Sequence, residues 1–197
     1  MKLTRQAWTA LRAMIVLTVV LGILYPAAIW VVGLAMPGQS NGSLLRDANG
    51  KVVGSSLIGQ SYTDAKGNPL PPWFQSRPSA AGDGYDASAS SGSNLGPNSP
   101  ALVKAITQRQ DQIEKLDGVT KAQIPADAVT ASGSGLDPDI SEAYALLQVD
   151  RVASARHLDA PAVTALVEAH VEQRTLGYLG EPVVNVVELN LALSELT

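Results

Sequence analysis

Nucleophilic and proton-transfer chemistry needs a few residue types, and this chain holds few of them in useful patterns. Gly133-Ser134-Gly135 has the outline of a nucleophile elbow, but Ala131 stands where Gly-x-Ser-x-Gly needs its first glycine. The only two histidines are His157 and His170, both expected on helices, so a serine–histidine–aspartate triad is disfavoured. His170 lies on an apolar helical face and reads as a hydrogen-bonded packing residue. Asp127, Asp137 and Asp139 could offer carboxylates to a cation, but their spacing suits helix caps and turns better. No metal site is expected. The sequence has no Gly-x-x-x-x-Gly-Lys-Ser/Thr phosphate loop, and no Gly-x-Gly-x-x-Gly follows a strand. Cysteine is absent, which excludes disulfides, thiolate ligands and a cysteine nucleophile.

The organising element is physical rather than catalytic. Ala13 to Met36 is an uncharged run of about 24 residues, long enough to cross a bilayer as a tilted helix. A helix suits that medium because it satisfies its own backbone polar groups. Lys2, Arg5 and Arg12 precede the run, and only Arg46 and Lys51 follow it closely, so residues 1–12 are expected in the cytoplasm and residues 37–197 outside. Trp8, Tyr25 and Trp30 are candidate interfacial anchors. The run exceeds the 7–15 apolar residues of a signal peptide, so an uncleaved anchor is expected. Pro26 should kink the helix, and Thr18 and Gly22, four apart, form a small-xxx-small pair for a partner helix.

The remaining chain is long enough for one domain with a modest core. Charged residues make up 16 % and the net charge is -4, with no basic run that would mark a nucleic-acid footprint. Asp47 to Gly50 reads as a hairpin turn, with Lys51 to Ile58 a strand weakened at Gly54. Asn68 to Pro72 is incompatible with helix or central strand. Ala80 to Pro100, rich in Gly, Ser, Asn and Asp, has the composition of a flexible linker, although Tyr85 and Leu95 are out of place in one.

Helical periodicity follows. Ser99 and Pro100 open a helix with a stripe of Leu102, Val103, Ile106, Ile113 and Leu116, ended by Gly118. Lys104, Arg109, Asp111, Glu114 and Lys115 form its solvated face. Asp137 is expected to cap a second helix from Pro138 to about Arg156, and Asp159 a third carrying Val163, Leu166, Val167 and His170. Leu176 to Pro182 is a glycine-punctuated loop. Asn185 to Glu188 is a capping-box-like start to a last helix, although its leucine alternation would also suit a strand. The expected fold class is α+β: one N-terminal transmembrane helix followed by a single mixed domain.

Several segments then assemble into a family pattern. Leu57-Ile-Gly-Gln60, Ser76-Arg77-Pro78-Ser79-Ala80, Ser91-Gly-Ser-Asn94-Leu95 before Gly96, and Ile124-Pro-Ala-Asp127 occur in order. Val129 to Asp137, containing Ser132-Gly133-Ser134-Gly135, comes next, then Arg151-Val-Ala153, Gly180-Glu181-Pro182-Val183, and, directly after Asn185, Val186 to Leu193 with Asn190 inside it. The chain closely resembles the C subunit of the bacterial Kdp potassium-transporting P-type ATPase complex, over essentially its whole length. The resemblance implies an ordered, structural role for the glycine–serine segment.

It also implies partners: a channel-like potassium-translocating subunit, a phosphorylated P-type pump subunit and a small single-span subunit, all within the inner membrane. Potassium would be the transported ion of the complex, and this chain would be a non-catalytic catalytic chaperone raising the pump's ATP affinity. Gln60 lies nearest to a signature-like glutamine linked to nucleotide in that family. The topology argues that ATP, held on the cytoplasmic side, is reached only through the pump subunit, with no cofactor bound tightly here. The alternative is a free-standing anchored extracytoplasmic enzyme or binding protein.

Overall fold

The computed structural model describes residues 2–196, and these divide between Ser43 and Leu44 into two units. Met1, Thr197 and the side chain of Lys2, one of the flanking charges above, lie outside the described residues.

The first unit is dominated by a helix that begins at Lys2, well before the apolar run. It comprises α1 (Lys2–Val19), a π-helical turn (Val20–Leu24) and α2 (Tyr25–Ala35), followed by the short α3 (Pro37–Ser40). Leu3–Ala35 has a mean hydropathy window of 2.5 and is 0 % buried, a helix long and apolar enough to cross a membrane. At about 1.5 Å per residue it exceeds a hydrocarbon core of about 30 Å, so its charged first turns extend past the apolar slab. There the Arg12 guanidinium lies 4.9 Å from the Trp8 ring centroid. Before Pro26, where a kink is expected, the helix widens into the π turn. Pro26 has no N–H and crowds the carbonyl four residues back, and the wider turn, with Tyr25 N–H donating to the Val20 carbonyl, gives it room. Thr18 and Gly22 lie on the exposed helix surface.

The second unit opens with an antiparallel hairpin, β1 (Leu44–Arg46) and β2 (Val52–Ser55). Asp47 makes its turn by accepting from the N–H groups of Asn49 and Lys51 at 2.9 Å each. The register jumps from Leu45↔Gly54 to Arg46↔Val52, so Val53 is the extra residue of a bulge beside Gly54. After a long irregular stretch come α4 (Pro100–Asp117), β3 (Asp139–Ser141), α5 (Glu142–Leu147), α6 (Val149–Arg156), α7 (Ala160–Ala169), β4 (Val171–Glu172), β5 (Val183–Asn185) and α8 (Val186–Glu195). The three short strands form an antiparallel sheet in the order β3-β5-β4. Its apolar face and the helices bury one core that includes Phe74, Ile140, Val152, Val163, Val184 and Leu189.

Several expectations are corrected. The helix expected from Pro138 to Arg156 is instead a strand followed by two helices. Ser141, not Asp137, caps the first of these, its hydroxyl accepting from the Tyr144 N–H. Backbone pairing explains this: Asp139–Ser141 lies against Val183–Asn185, a three-residue strand too short to show alternation. In α4, Ile113 is buried but Val103 is 58 % exposed, outside the apolar stripe assigned to it. The last segment is helical, and the Asn185 side chain accepts from the Val187 and Glu188 N–H groups.

What holds the irregular stretch is a set of side chains that take the place of a neighbouring strand. The Phe74 N–H donates to Asn190 Oδ1 at 3.0 Å, and Asn190 Nδ2 donates to the Phe74 carbonyl at 2.9 Å. Gln148 does the same for Gln75, accepting from its N–H at 2.6 Å and donating to its carbonyl at 3.2 Å. Arg151 Nη1 donates to the carbonyls of Pro71 and Trp73, and Arg156 Nε to that of Pro72. The Arg156 guanidinium also lies 4.4 Å from the Trp73 ring centroid, and Trp73 stacks on Tyr62. Backbone groups of a segment without secondary structure are thus satisfied inside the core. The Arg151–Asp117 ion pair, 2.7 Å long with side chains 5 % and 1 % exposed, closes the seam.

Two outcomes follow from this arrangement. Asn190→Leu keeps the volume but leaves both Phe74 groups unpaired, and urea unfolding in detergent should register a loss of about 3 kcal/mol. An unchanged midpoint would remove the seam from the account. Asp139, between β5 and the charges of Asp137, Glu172 and Glu188, has its carboxyl raised to about 6, first by burial and then by those neighbours. A raised carboxyl favours folding when protonated. Its contribution is therefore full below about pH 4 and is lost as pH rises to about 6. Asp139→Asn should flatten the pH dependence of stability across that window, as measured by thermal unfolding from pH 4 to 7.

Candidate functional site

The residues singled out in the sequence meet in one place more than elsewhere: the crossing of Arg77–Tyr85 with Ser132–Asp137. Arg77 Nη1 pairs with Asp137 Oδ2 at 2.8 Å, with side chains 21 % and 30 % exposed. Asp137 Oδ1 also accepts from the Asp139 N–H, which is the turn role expected of it. Pro78 fixes an extended backbone beside this pair, and Ser79 then acts as a clasp. Its hydroxyl donates to the Gly135 carbonyl at 2.6 Å and accepts from the N–H groups of Ala81 and Tyr85.

Tyr85 returns over the crossing and donates its hydroxyl to the Arg77 carbonyl at 2.8 Å. Burial, ahead of every other influence, pushes that phenol up to about 12, so it stays a donor at any physiological pH.

Ser132 and Ser134 serve the loop itself, accepting from the N–H groups of Gly135 and Leu136. The Ser134 carbonyl takes the Ser91 N–H and the Ser90 hydroxyl at 2.9 Å each. The glycine–serine segment is thus tied down as the resemblance implied, not free as its composition suggested. Gly135 sits at φ +68°, and a Cβ there would fall 2.6 Å from the Ser91 carbonyl oxygen, so both conformation and space demand glycine. Gly133 faces open space on its own account; Gly92 passes close to its carbonyl. No histidine approaches the Ser134 hydroxyl by hydrogen bond. His157 ends α6 in the left-handed region, and His170 Nδ1 bonds the Leu166 carbonyl at 2.8 Å.

Other sequence-selected residues lie apart from the crossing. Arg151 and Asn190 belong to the buried seam. Asn185 caps α8 and also donates Nδ2 to the Ser56 carbonyl at 2.7 Å, linking the sheet to the hairpin. Glu181 pairs with Arg174 on the exposed loop before β5, and Pro182 follows it. Asn94, at φ 51°, and Gly96 are exposed turn positions.

Gln60 lines a second hollow of about 270 Å³ with Asp47, Trp73, Val187 and Leu191. Its Nε2 donates to the Val53 carbonyl, at the bulge, at 2.9 Å, and its own carbonyl accepts from Ser76. That is a structural tie between hairpin and core.

Asp127 likewise has a local task, accepting from the Ser141 N–H and hydroxyl. Among the described residues no group of three or more histidine, cysteine, aspartate or glutamate side chains is placed to hold a metal.

Three residues escaped the sequence reading. Gln148 is fully buried at the junction of α5 and α6, and a polar residue inside the run Tyr144 to Val149 was the available signal. Arg109, assigned to a solvated face, is half-buried and donates to the Val129 carbonyl at 2.8 Å. Tyr144, 3 % exposed, left no trace beyond its apolar spacing.

Residues 7–195 match the family described as KdpC: K+-transporting ATPase, c chain. A Kineococcus radiotolerans protein named potassium-transporting ATPase KdpC subunit is 50 % identical over 191 residues, 97 % of this chain and 94 % of that protein. Proteins of the same name from Gemmatimonas aurantiaca and Mycobacterium bovis are 54 % and 49 % identical. These cover 92 % and 98 % of this chain, and 88 % and 99 % of their own lengths. The matched range reaches from the apolar helix past the crossing at Arg77 and Asp137 to α8, and the chain belongs to the KdpC family.

Proposed function

We propose that the chain is a non-catalytic accessory subunit of a potassium-transporting P-type ATPase complex. Its helix anchors it in the cell membrane with the N-terminus in the cytoplasm, and its second unit works on the extracytoplasmic side. The observation that carries this reading is the continuity of the family match across the apolar helix and the whole domain. The flanking charges support the orientation: Arg5 and Arg12 precede the apolar run with no acidic residue among them. The partners are the channel-like potassium-translocating subunit, the pump subunit and the small single-span subunit, with Thr18, Gly22 and Pro26 on the helix surface that meets them. Potassium is the cargo of the complex, and ATP belongs to the pump.

The side chains of the crossing favour a structural role over chemistry. Ser79, Ser132 and Ser134 spend their hydroxyls on nearby backbone groups, and Arg77 spends its charge on Asp137. A chaperone-like increase in the pump's ATP affinity then acts through the complex as a coupling free energy, and the domain does not touch nucleotide. Couplings of about 1–3 kcal/mol, or roughly 5–150-fold in affinity, are of the usual size.

Gln60 separates the two mechanisms. Its side chain is engaged with Val53, so Gln60→Ala should loosen the hairpin by about 1 kcal/mol. In the purified complex, the same variant should leave the KM for ATP within about twofold, less than a lost nucleotide hydrogen bond would change it. A tenfold rise in that KM, with potassium-stimulated turnover at saturating ATP intact, would place nucleotide on this residue and overturn the indirect mechanism.

A further inference from the structure

A cleft of about 290 Å³ opens between α4 and the irregular segment around Tyr62 and Tyr85, and none of the roles above uses it. Arg77, Arg109 and Tyr144 all line it, over an apolar floor of Ile113 and Leu116. The two guanidiniums differ in one respect. Arg77 is answered by Asp137 at 2.8 Å. Arg109 makes a single hydrogen bond, to the Val129 carbonyl, and no carboxylate lies within 4 Å of it among the described residues. Burial lowers its hold on its proton, and no acid offsets the effect. A half-buried cation with spare N–H donors and no counter-ion is an unfinished interaction.

Tyr144 supplies an independent second observation. Its side chain is 3 % exposed, its backbone N–H is taken by Ser141, and its hydroxyl has no hydrogen-bond partner among the described residues. The hydroxyl oxygen is not sealed in the core but accessible at the cleft the side chain lines, where a ligand can meet it.

We propose that this cleft is a binding site for a small organic monocarboxylate. Its oxygens would face the Arg109 guanidinium, and the Tyr144 hydroxyl would supply a further donor. Charge decides between anions. Arg109 is the cation of the lining without a carboxylate within 4 Å, and Asp83, also in the lining, opposes a second negative charge on the ligand. That balance suits a monoanion, whereas a divalent phosphate would lack its second cation. The volume lies at the lower end of the range for ligand sites, and the apolar floor suits a short hydrocarbon chain.

Titration calorimetry on the full-length chain in detergent micelles tests this with two probes, butyrate and inorganic phosphate, at matched ionic strength. Saturable butyrate binding is expected, weakened roughly tenfold or more by Arg109→Gln and about threefold by Tyr144→Phe, with phosphate the weaker probe. The tyrosine variant removes one unpartnered oxygen and no structural bond, so it keeps the test valid if the arginine variant fails to fold. Absence of saturable butyrate binding overturns the proposal. So does butyrate binding that Tyr144→Phe leaves untouched, or tighter binding of phosphate than of butyrate.

Discussion

The structure depends on how a stretch without secondary structure is kept inside a core. Residues 69–76 cannot form a strand, because Pro69, Pro71 and Pro72 lack N–H donors and fix φ. Yet Phe74 is fully buried, and its backbone must be hydrogen-bonded somewhere. Asn190, from α8, and Gln148, at the junction of α5 and α6, each present a carboxamide whose donor and acceptor match one peptide's N–H and C=O. Arg151 and Arg156 take the remaining carbonyls. Four helix side chains therefore do what an adjacent strand would do, and they fix the path of the chain into the crossing at Arg77 and Asp137.

That constraint accounts for what the sequence made legible and what it hid. Local rules found the Asp47–Gly50 turn, the limits of α4 at Pro100 and Gly118, and the Asn185 cap, because each depends on neighbours within four residues. The strand at Asp139–Ser141 was hidden, because its partner is more than forty residues away and both strands have three residues. Asp137 has the right chemistry for a cap but spends it on Arg77, a contact sixty residues distant. Arg109 falls on the polar side of α4 by periodicity, but the irregular segment folds over that side and half-buries it.

The motif residues divide along the same line. Arg77, Ser79, Ser132, Gly135 and Asp137 converge, and each of their two short motifs supplies one half of a tight crossing. Gln60, Arg151, Asn185 and Asn190 act elsewhere, each satisfying backbone that would otherwise be stranded. A glycine–serine composition is thus compatible with order when serine hydroxyls close the turns and glycine permits backbone to meet backbone at Gly135 and Gly92. The second unit is thus a body ordered in its irregular segments as well as in its helices.

The account turns on which side of the membrane this body occupies, and the cysteine-free sequence makes that directly measurable. Ser154 is exposed on α6, and Gln6 lies near the start of the long helix. A membrane-impermeant maleimide applied to intact cells should label Ser154→Cys at once and Gln6→Cys only after lysis. The reverse pattern would put the domain beside cytoplasmic ATP and contradict indirect coupling.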